Sequence, residues 1–514
     1  MTEISRPDSI PPVVGAHVAV AAPDPGSHET STRRKVMVLL GAAAVMLFIY
    51  FLPEPAALER DGNIIPLTMA GKACLAVMAF AVILWVTETL PFAATGLMIL
   101  LLLPAFGVTD FRALVRAGFG DAVIAFFIGV LILSAGFTTS GLGTRLAYKV
   151  VSWVGTRTDR VLFGFLFVGG TLSWWVTDMA CAAMMLPIAL GLARDAGLRP
   201  GHSNFGRALF IAVAFGPLIG GIATPAGTAA NIVAVAQLQQ LAGVTITFTQ
   251  GMVLGAPASL LMLPVAWRIL LWVFPPELER LPVTDAEVRN RLAALGPLSR
   301  LERHTLVAFG AAVTLWTMGP LLSGWTGGAF APPVEAVALG AGLYLFLPGV
   351  RVLNWKQAEG NIEWGGLMLI AAGLSLGLVV FETGAARWLA WVLLGEIQSV
   401  PGPLIPFVIV LAVSLLHMLF SSNTVTATII VPILVALAQD LGVDVWSIVA
   451  PAAFTSSLAF ILVTEGPTTL IPYAAGYFSI KDMAKAGIVM TIGAAFCVAL
   501  TQYLYRLAGV MPGL

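Results

Sequence analysis

The chain has 514 residues, of which 58% are hydrophobic and only 11% are charged, whereas a soluble domain carries about 25% charged residues. This composition excludes an ordinary soluble protein and predicts an integral membrane protein. The formal net charge of zero gives no electrostatic reason to expect nucleic acid or an acidic partner. Cys74, Cys181 and Cys497 lie in apolar runs without CxxC spacing or neighbouring histidines, so neither a disulfide framework nor a zinc cofactor is expected.

The first 35 residues are rich in Pro, Ser, Asp and His and lack an apolar core. They end in the basic triplet Arg33-Arg34-Lys35, directly before the first hydrophobic run. We interpret residues 1–35 as a disordered cytoplasmic tail. The hydrophobic run has no small-residue cleavage site, so it predicts a retained helix rather than a removed signal peptide.

Apolar stretches long enough to cross ~30 Å of hydrocarbon recur along nearly the whole chain. They predict an all-α polytopic membrane protein with about eleven transmembrane helices. Two further apolar segments are each interrupted by polar residues, and we assign both as re-entrant hairpins. The hairpins cover residues 161–193 and 402–439, and the spans lie near residues 36–53, 67–89, 91–107, 121–143, 206–238, 250–274, 304–322, 333–349, 364–395, 446–475 and 484–508.

The positions of the basic residues set the orientation. With a cytoplasmic N-terminus, most of the 27 Lys and Arg residues fall in cytoplasmic segments, as the positive-inside rule requires. A full crossing at residues 161–193 would put one of its two basic flanks on the wrong side. We therefore predict a multi-pass protein of the plasma membrane, or of the cell inner membrane in a bacterium, with a cytoplasmic N-terminus.

Similar segments recur in the same order in the two halves of the chain. By the orientation above, the first hairpin opens from the cytoplasm and the second from outside, which predicts two inverted-topology repeats. Inverted repeats with broken helices are typical of secondary transporters, which bind substrate and coupling ions where the repeats meet. The matching pairs are SGLGTRLA from Ser140 with TGAARWLA from Thr383, VTDMACAAMMLP from Val176 with SSNTVTATIIVP from Ser421, ATPAGT from Ala223 with VTEGPT from Val463, and ITFTQGMVLGA from Ile246 with FSIKDMAKAGI from Phe478.

Four polar interruptions indicate where the functional site lies, because unwound backbone at membrane depth is tolerated only beside protein or a water-filled cavity. All four combine hydroxyl groups with Gly, Pro, Asn or an acid. Hydroxyls and helix N-terminal amides bind carboxylate or sulfate oxygens, while freed carbonyls and amide oxygens suit a hard cation such as sodium. The interruptions lie at residues 177–179, 224–228, 421–424 and 464–469.

Several motifs resemble the divalent anion:sodium symporters, which are solute carrier family 13 in animals. WVTETLP at residues 85–91 is similar to the signature of that family's second helix. SSNTVTATIIVP is similar to its second Ser-Asn-Thr hairpin motif, GGIATPAGTAAN at residues 220–231 to its first broken helix, and IKDMAKAG at residues 480–487 to its last cytoplasmic turn. The resemblance covers residues 67–508.

The resemblance implies a homodimer in which a scaffold holds the dimer and a transport domain moves like an elevator. It also implies symport of dicarboxylate, citrate or sulfate with sodium, or dicarboxylate exchange. By position, Ser422, Asn423 and Thr424 would contact the anion and a second sodium. Gly227 and Thr228 would line the first sodium and the substrate, and Pro467 and Thr468 would close the other side. The scaffold parts would be residues 36–160 and 304–400, the transport parts residues 161–274 and 401–514, and the cytoplasmic connector residues 275–303.

Asp178 departs from the family pattern. It occupies the place of the central Asn in the first Ser-Asn-Thr motif, with Thr177 for Ser and Met179 for Thr. An ionisable residue inside a bilayer costs about 2.5–3.5 kcal/mol on insertion scales, so a functional role is the default. Capping of the helix that follows is the structural alternative.

A second acid, Glu465, lies in the opposite break. Two ionised acids would repel an anion, so a bound sodium or proton must neutralise them. Asp178 and Glu465 are therefore the coupling candidates, and Asp178 is a candidate sodium ligand together with Gly227 and Asn423. Because Met179 also lacks the hydroxyl of Thr, a substrate with a smaller or single anionic group is plausible.

The sequence thus predicts a secondary active transporter of a small anion, coupled to sodium or protons. An anion exchanger without obligatory cation coupling is the first alternative. An intramembrane enzyme would need a Ser/His or paired-Asp arrangement or an Asp-rich metal-diphosphate motif, and neither is evident. A channel fits the inverted repeats less well. The expected partners are the anion, sodium or protons, membrane lipid and a second copy of the chain.

Overall fold

A computed structural model describes residues 25–60, 63–282, 293–330, 332–420 and 422–509. Apart from one antiparallel hairpin, β1 (Leu58–Arg60) with β2 (Asn63–Ile65), its regular structure is helical. The first half contains α1 (Pro25–Phe51), α2 (Met69–Val86), α3 (Phe92–Ala105), α4 (Phe111–Phe119), α5 (Ala122–Ser140), α6 (Leu142–Val154), α7 (Thr158–Leu172), α8 (Asp178–Asp195), α9 (Asn204–Gly221), α10 (Ala229–Ala242) and α11 (Phe248–Val273). The second half contains α12 (Arg300–Trp325), α13 (Val334–Tyr344), α14 (Trp355–Asn361), α15 (Trp364–Glu382), α16 (Ala385–Leu394), α17 (Ile405–His417), α18 (Asn423–Leu441), α19 (Val445–Thr455), α20 (Pro467–Tyr473) and α21 (Ile480–Ala508).

The polytopic all-α prediction is confirmed. Within the described part of the chain, eight helices are long and apolar enough to cross a membrane, and a strongly bent pair, Ala385–Ile397 with Gly402–His417, would make a ninth. Three predicted spans contain shorter apolar helices, namely α3, α13 and α19. Since these have fewer residues than a straight crossing needs, the count of about eleven crossings stays a prediction.

One order of elements occurs twice. In each half, two consecutive helices are joined at a polar tip. A pair of helices separated by a break comes next, and a long helix follows. The elements are α7 to α11 in the first half and α17 to α21 in the second. Each predicted hairpin is therefore a pair of helices joined at its polar interruption, while the opposite orientation of the two halves stays a prediction.

The centre of the molecule is built around α9, because nearly all of its side chains are buried. Phe205, Phe210 and Phe215 are each fully buried, and α7, α8, α11 and α20 pack around the helix. A helix that is apolar on every side belongs in the interior of a large helical protein. Small residues allow close approach, as at Gly216, where an added methyl group would lie 2.9 Å from the carbonyl oxygen of Leu166.

Helices from the two halves also pack directly against each other. α5 lies against α13, and Gly129 sits so close to the backbone of Ala338 that a methyl group there would approach the Ala338 carbonyl carbon to 2.5 Å. α15 contacts α3 and α4 of the first half. Ser375 on α15 donates a hydrogen bond to the carbonyl oxygen of Leu114 at 2.7 Å. The helices that surround the hairpins thus pack closely through small residues.

The prediction of a disordered tail is wrong for residues 25–35. These residues form the start of α1, and residues 1–24 lie outside the described residues. Helical hydrogen bonding extends cooperatively from an established helix, and Arg and Lys are good helix formers. The side chains of Arg33, Arg34 and Lys35 are exposed, so they continue the apolar helix without burying charge.

Both ends of the connector, residues 275–303, bond to residues of the first half. Residues 283–292 lie outside the described part. At its start, Thr158 donates a hydrogen bond to the carbonyl oxygen of Leu278 at 2.6 Å. At its end, Arg145 pairs with Glu302 at 2.6 Å. Burial of the Glu302 carboxyl group opposes ionisation, but hydrogen bonds from Arg145 and Ser299 more than offset this, so the pKa of Glu302 lies below its ordinary value.

Candidate functional site

The two hairpin tips meet. α8 begins at Asp178 and α18 begins at Asn423, and these residues are 245 positions apart in the sequence. The Asn423 side-chain amide donates a hydrogen bond to Asp178 Oδ2 at 3.3 Å. The matched interruptions of the two halves therefore form one site.

A cavity of about 290 Å³ opens at this junction. α3, α5 and the start of α15 form the opposite wall, which is mainly apolar. Every residue that the sequence predicts to bind substrate lines this cavity. These residues are Thr177, Asp178, Thr228, Ser422, Asn423, Thr424, Pro467 and Thr468.

Asp178 is held in place by backbone groups on both sides. Its own amide donates to the Gly227 carbonyl oxygen at 3.2 Å, which ties the first tip to the break between α9 and α10. Its Oδ1 atom accepts a hydrogen bond from the Met179 amide at 2.8 Å. The Asp178 carboxylate thus satisfies a free amide at the start of α8, as a cap does, and also faces the cavity.

The second tip is capped by a neutral residue. Ser422 Oγ accepts a hydrogen bond from the Val425 amide at 3.4 Å, and Thr426 Oγ1 donates to the Ser422 carbonyl oxygen at 3.1 Å. The Asn423 Oδ1 atom is buried and receives no hydrogen bond from a described residue. The second tip therefore presents an unused amide oxygen next to the cavity.

The first broken segment, residues 222–228, is held by the Asn231 side chain, which bonds to two backbone carbonyls at the break. The Asn231 side-chain amide donates to the carbonyl oxygens of Gly221 and Thr224, both at 2.9 Å. Gly227 does not line the cavity. A methyl group at Gly227 would lie 2.4 Å from the Gly221 carbonyl oxygen and 2.7 Å from that of Ser173, so only glycine fits this close approach.

Glu465 turns away from the cavity. Its side chain is buried, and its carboxylate accepts hydrogen bonds from the backbone amides of Leu462 at 2.9 Å and Ile461 at 3.3 Å. Burying an amide without a partner is costly, so this carboxylate stabilises the unwound backbone between α19 and α20. Its neighbours Pro467 and Thr468 reach the cavity instead.

Sequence reasoning missed Glu363, which is the residue before α15. It lines the cavity wall opposite the tips, beside Gly365 and Gly366. The signal was an acid directly before an apolar run, which is also the ordinary mark of a helix start. Only its position in the same cavity as the two tips distinguishes it.

Several buried oxygen atoms lack a hydrogen-bond donor among the described residues. They are Asn423 Oδ1, Asn231 Oδ1 and Ser173 Oγ. The Ser173 carbonyl oxygen also lies close to Gly227. Carbonyl, amide, hydroxyl and carboxylate oxygens are the ligands that hard cations prefer. The surroundings of the predicted sodium ligands Asp178, Gly227 and Asn423 are therefore chemically suited to sodium.

Comparison with known proteins finds similarity to sodium-coupled anion transporters. The model of the sodium:sulfate symporter transmembrane region matches residues 33–509. The sodium-dependent dicarboxylate transporter SdcS of Staphylococcus saprophyticus is 32% identical over 454 residues, covering 84% of this chain and 86% of the relative. SdcS of Staphylococcus aureus is 29% identical over 492 residues, covering 92% and 91%.

A solved structure supports the fold. The crystal structure of the YdaH transporter of Alcanivorax borkumensis superposes with a TM-score of 0.56 at 16% identity, covering 93% of this chain and 98% of that chain. At this identity the similarity concerns the fold alone. Because the family model spans nearly the whole chain, the chain belongs to the sodium:sulfate symporter family.

Proposed function

We propose that this protein is a secondary active transporter that moves a small anion across the membrane together with sodium or protons. The observation that carries the proposal is the meeting of the two tips, where Asn423 donates a hydrogen bond to Asp178 at the wall of the cavity. The printed names of the SdcS relatives, sodium-dependent dicarboxylate transporters, support this substrate class and sodium as the coupling ion.

The cavity has the size and the donors that a small anion needs. Its volume of about 290 Å³ is near the lower end of ligand pockets, which run from ~300 to 1,000 Å³. The first turns of α18 and α20 begin at its wall, and free amides at a helix start favour negative charge. The Thr228 and Thr424 hydroxyls add neutral donors.

Coupling is assigned mainly to Asp178. This carboxylate lies between the tips, so a sodium ion or a proton that neutralises it removes repulsion against the incoming anion. Substrate and cation would then favour each other's binding, which is the thermodynamic condition for symport. Glu465 is a weaker candidate, because two backbone amides already bind its carboxylate.

Movement is assigned to the parts that carry the tips. Residues 161–274 and 401–514 would form the transport domain, and residues 36–160 and 304–400 the scaffold of a homodimer in the plasma membrane with its N-terminus in the cytoplasm. An elevator movement would slide the cavity past the wall formed by α3, α5 and α15. The repeated order of helices around one site supports this proposal, since inverted repeats that meet at a substrate site are typical of alternating access.

Uptake into proteoliposomes tests the function. Purified protein is given labelled succinate or sulfate under an inward sodium gradient, under an inward proton gradient, or with neither gradient but with unlabelled substrate inside. Accumulation driven by a cation gradient is the expected result. Uptake only against internal substrate would instead establish the exchanger, and uptake under none of the three conditions would contradict transport of these anions.

A further inference from the structure

Glu363 places an unpaired acid on the cavity wall that faces the tips. The residue is exposed to the cavity, and its carboxylate makes no hydrogen bond or ion pair with another described residue. A methyl group at Gly366 would lie 3.2 Å from the Glu363 carboxyl carbon, so the carboxyl group lies beside Gly366 in the first turn of α15. A free carboxylate facing a cavity is available to a ligand.

The cavity therefore combines two kinds of ligand-binding group. Asp178 and Glu363 are the ionisable side chains among the described lining residues, which include no Lys, Arg or His. Thr228 and Thr424 also line it, with 2% and 7% of their surface exposed. Neither threonine side chain hydrogen-bonds to another described residue. Their hydroxyls are therefore free to bind a ligand that enters the cavity.

These groups restrict the charge of that ligand. A carboxylate bound at the Thr424 side of the cavity receives donors from the hydroxyls and from the start of α18. A sodium ion bound at Asp178 would neutralise one of the two acids, and a second ligand carboxylate at this end of the cavity would still be repelled by the charge of Glu363. An ammonium group at the same place would instead donate charge-assisted hydrogen bonds. The acids thus favour a ligand with a positive end.

We propose that the substrate carries an ammonium group, as an amino acid does, with the ammonium bound between Asp178 and Glu363 and a carboxylate bound by the hydroxyls at the second tip. This inference rests on the proposed transport function and specifies its substrate class. An amino dicarboxylate of the size of aspartate keeps a net negative charge and satisfies both ends of the cavity. The missing hydroxyl at Met179 agrees with an ammonium at the first tip, since an ammonium has no use for a further donor.

The experiment compares ligands that differ only by the amino group. Succinate and L-aspartate form one matched pair, and propionate and L-alanine form a second, smaller one. Competition against sodium-driven uptake in proteoliposomes, together with thermal stabilisation of the purified protein in sodium, measures affinity for each compound. The wild-type protein is expected to favour the amino member of at least one pair by about tenfold or more.

Two charge-matched variants assign the preference to the cavity. Glu363→Gln removes the wall charge and is expected to bring the ratio of amino to non-amino ligand close to one. Glu359→Gln removes the same charge from α14 outside the cavity and is expected to keep the wild-type ratio. Sodium-dependent thermal stabilisation of both variants verifies that each is folded.

Three results would overturn the ammonium subsite. The first is preference for succinate over aspartate with a ratio that Glu363→Gln leaves unchanged. The second is succinate uptake that exceeds aspartate uptake and rises on acidification, because protons would then neutralise the acids. The third is no binding of either amino compound. Sodium-driven succinate uptake in any of these cases would leave the transport function standing, whereas loss of cation-driven uptake for all four compounds would contradict the transport function itself.

Discussion

The two hairpin tips occupy matching places in the two halves, yet they stabilise their helices in different ways. At the second tip, Ser422 caps α18 through its hydroxyl group, and Asn423 is neutral. At the first tip, Thr177 makes no capping hydrogen bond, and the Asp178 carboxylate binds the Met179 amide instead. Of the two tips, therefore, only the first places an acid at the cavity.

The acids of the two halves show a related contrast. Asp178 faces the cavity and touches the opposite tip, whereas Glu465 bonds to amides of its own broken segment. Both are buried carboxylates near a break in a helix. The difference teaches that the hydrogen-bond partners of a buried acid decide whether its carboxylate is free to face the cavity.

The largest effect is expected at Asp178. Asp178→Ala removes the acceptor of two hydrogen bonds and a charge, so uptake at limiting substrate should fall about 100-fold. Asp178→Asn restores a neutral tip that resembles the second one and is expected to keep the shape but change the sodium or pH dependence of uptake. Proteoliposome uptake across sodium concentrations and pH values measures both variants.

One result would contradict the Asp178 prediction. If Asp178→Asn left both the cation dependence and the pH dependence of uptake as in the wild type, the asymmetry between the tips would have no role in coupling. Glu359→Gln is the control for loss of one negative charge away from the cavity.

A smaller effect is expected at the glycine that ties the first tip to its broken helix. In Gly227→Ala the added methyl group would meet two carbonyl oxygens, so we expect the free energy of unfolding to fall by about 1–3 kcal/mol. Gly310 on α12 has open space around it, and Gly310→Ala should be neutral or slightly stabilising because alanine favours helix. Thermal unfolding of both variants measures the difference, and equal losses would contradict a tight break at Gly227.

Glu465→Gln tests whether the second acid is structural. The glutamine can offer only one oxygen to the amides of Ile461 and Leu462, so the free energy of unfolding should fall by about 1–2 kcal/mol. The sodium dependence of uptake should stay as in the wild type. A shift in sodium dependence as large as that of Asp178→Asn would return Glu465 to the coupling mechanism.

The smallest effect is expected for the residues that precede the two tip helices, Ser422 and Thr177. Ser422→Ala removes a hydrogen bond at the start of α18 and should lower the free energy of unfolding by about 0.5–1 kcal/mol. Thr177→Ala loses no such bond, so its change should stay within ~0.5 kcal/mol. Thermal unfolding in the absence of substrate measures both. A larger loss for Thr177→Ala would mean that the tips are capped alike.

Much of the candidate site could be predicted from the sequence, because polar residues in an apolar chain stand out. Thr177 and Asp178 interrupt one apolar run, Ser422 and Asn423 interrupt another, and the order of their neighbours matches. Glu363 could not be found this way, since an acid before a helix is common. The sequence prediction also missed that α1 begins before the apolar run, because a polar composition does not show where a helix begins.

The sequence by itself determined the solvent in which this protein folds and the places where its helices break, since long apolar runs suit only a membrane and polar breaks within them need a special environment. Only the tertiary structure decided which of the polar groups face one another. The contact between Asp178 and Asn423 and the position of Glu363 on the cavity wall depend on the packing of helices far apart in the chain. Local sequence sets each helix, but the relative placement of helices follows from packing between side chains that no local pattern specifies.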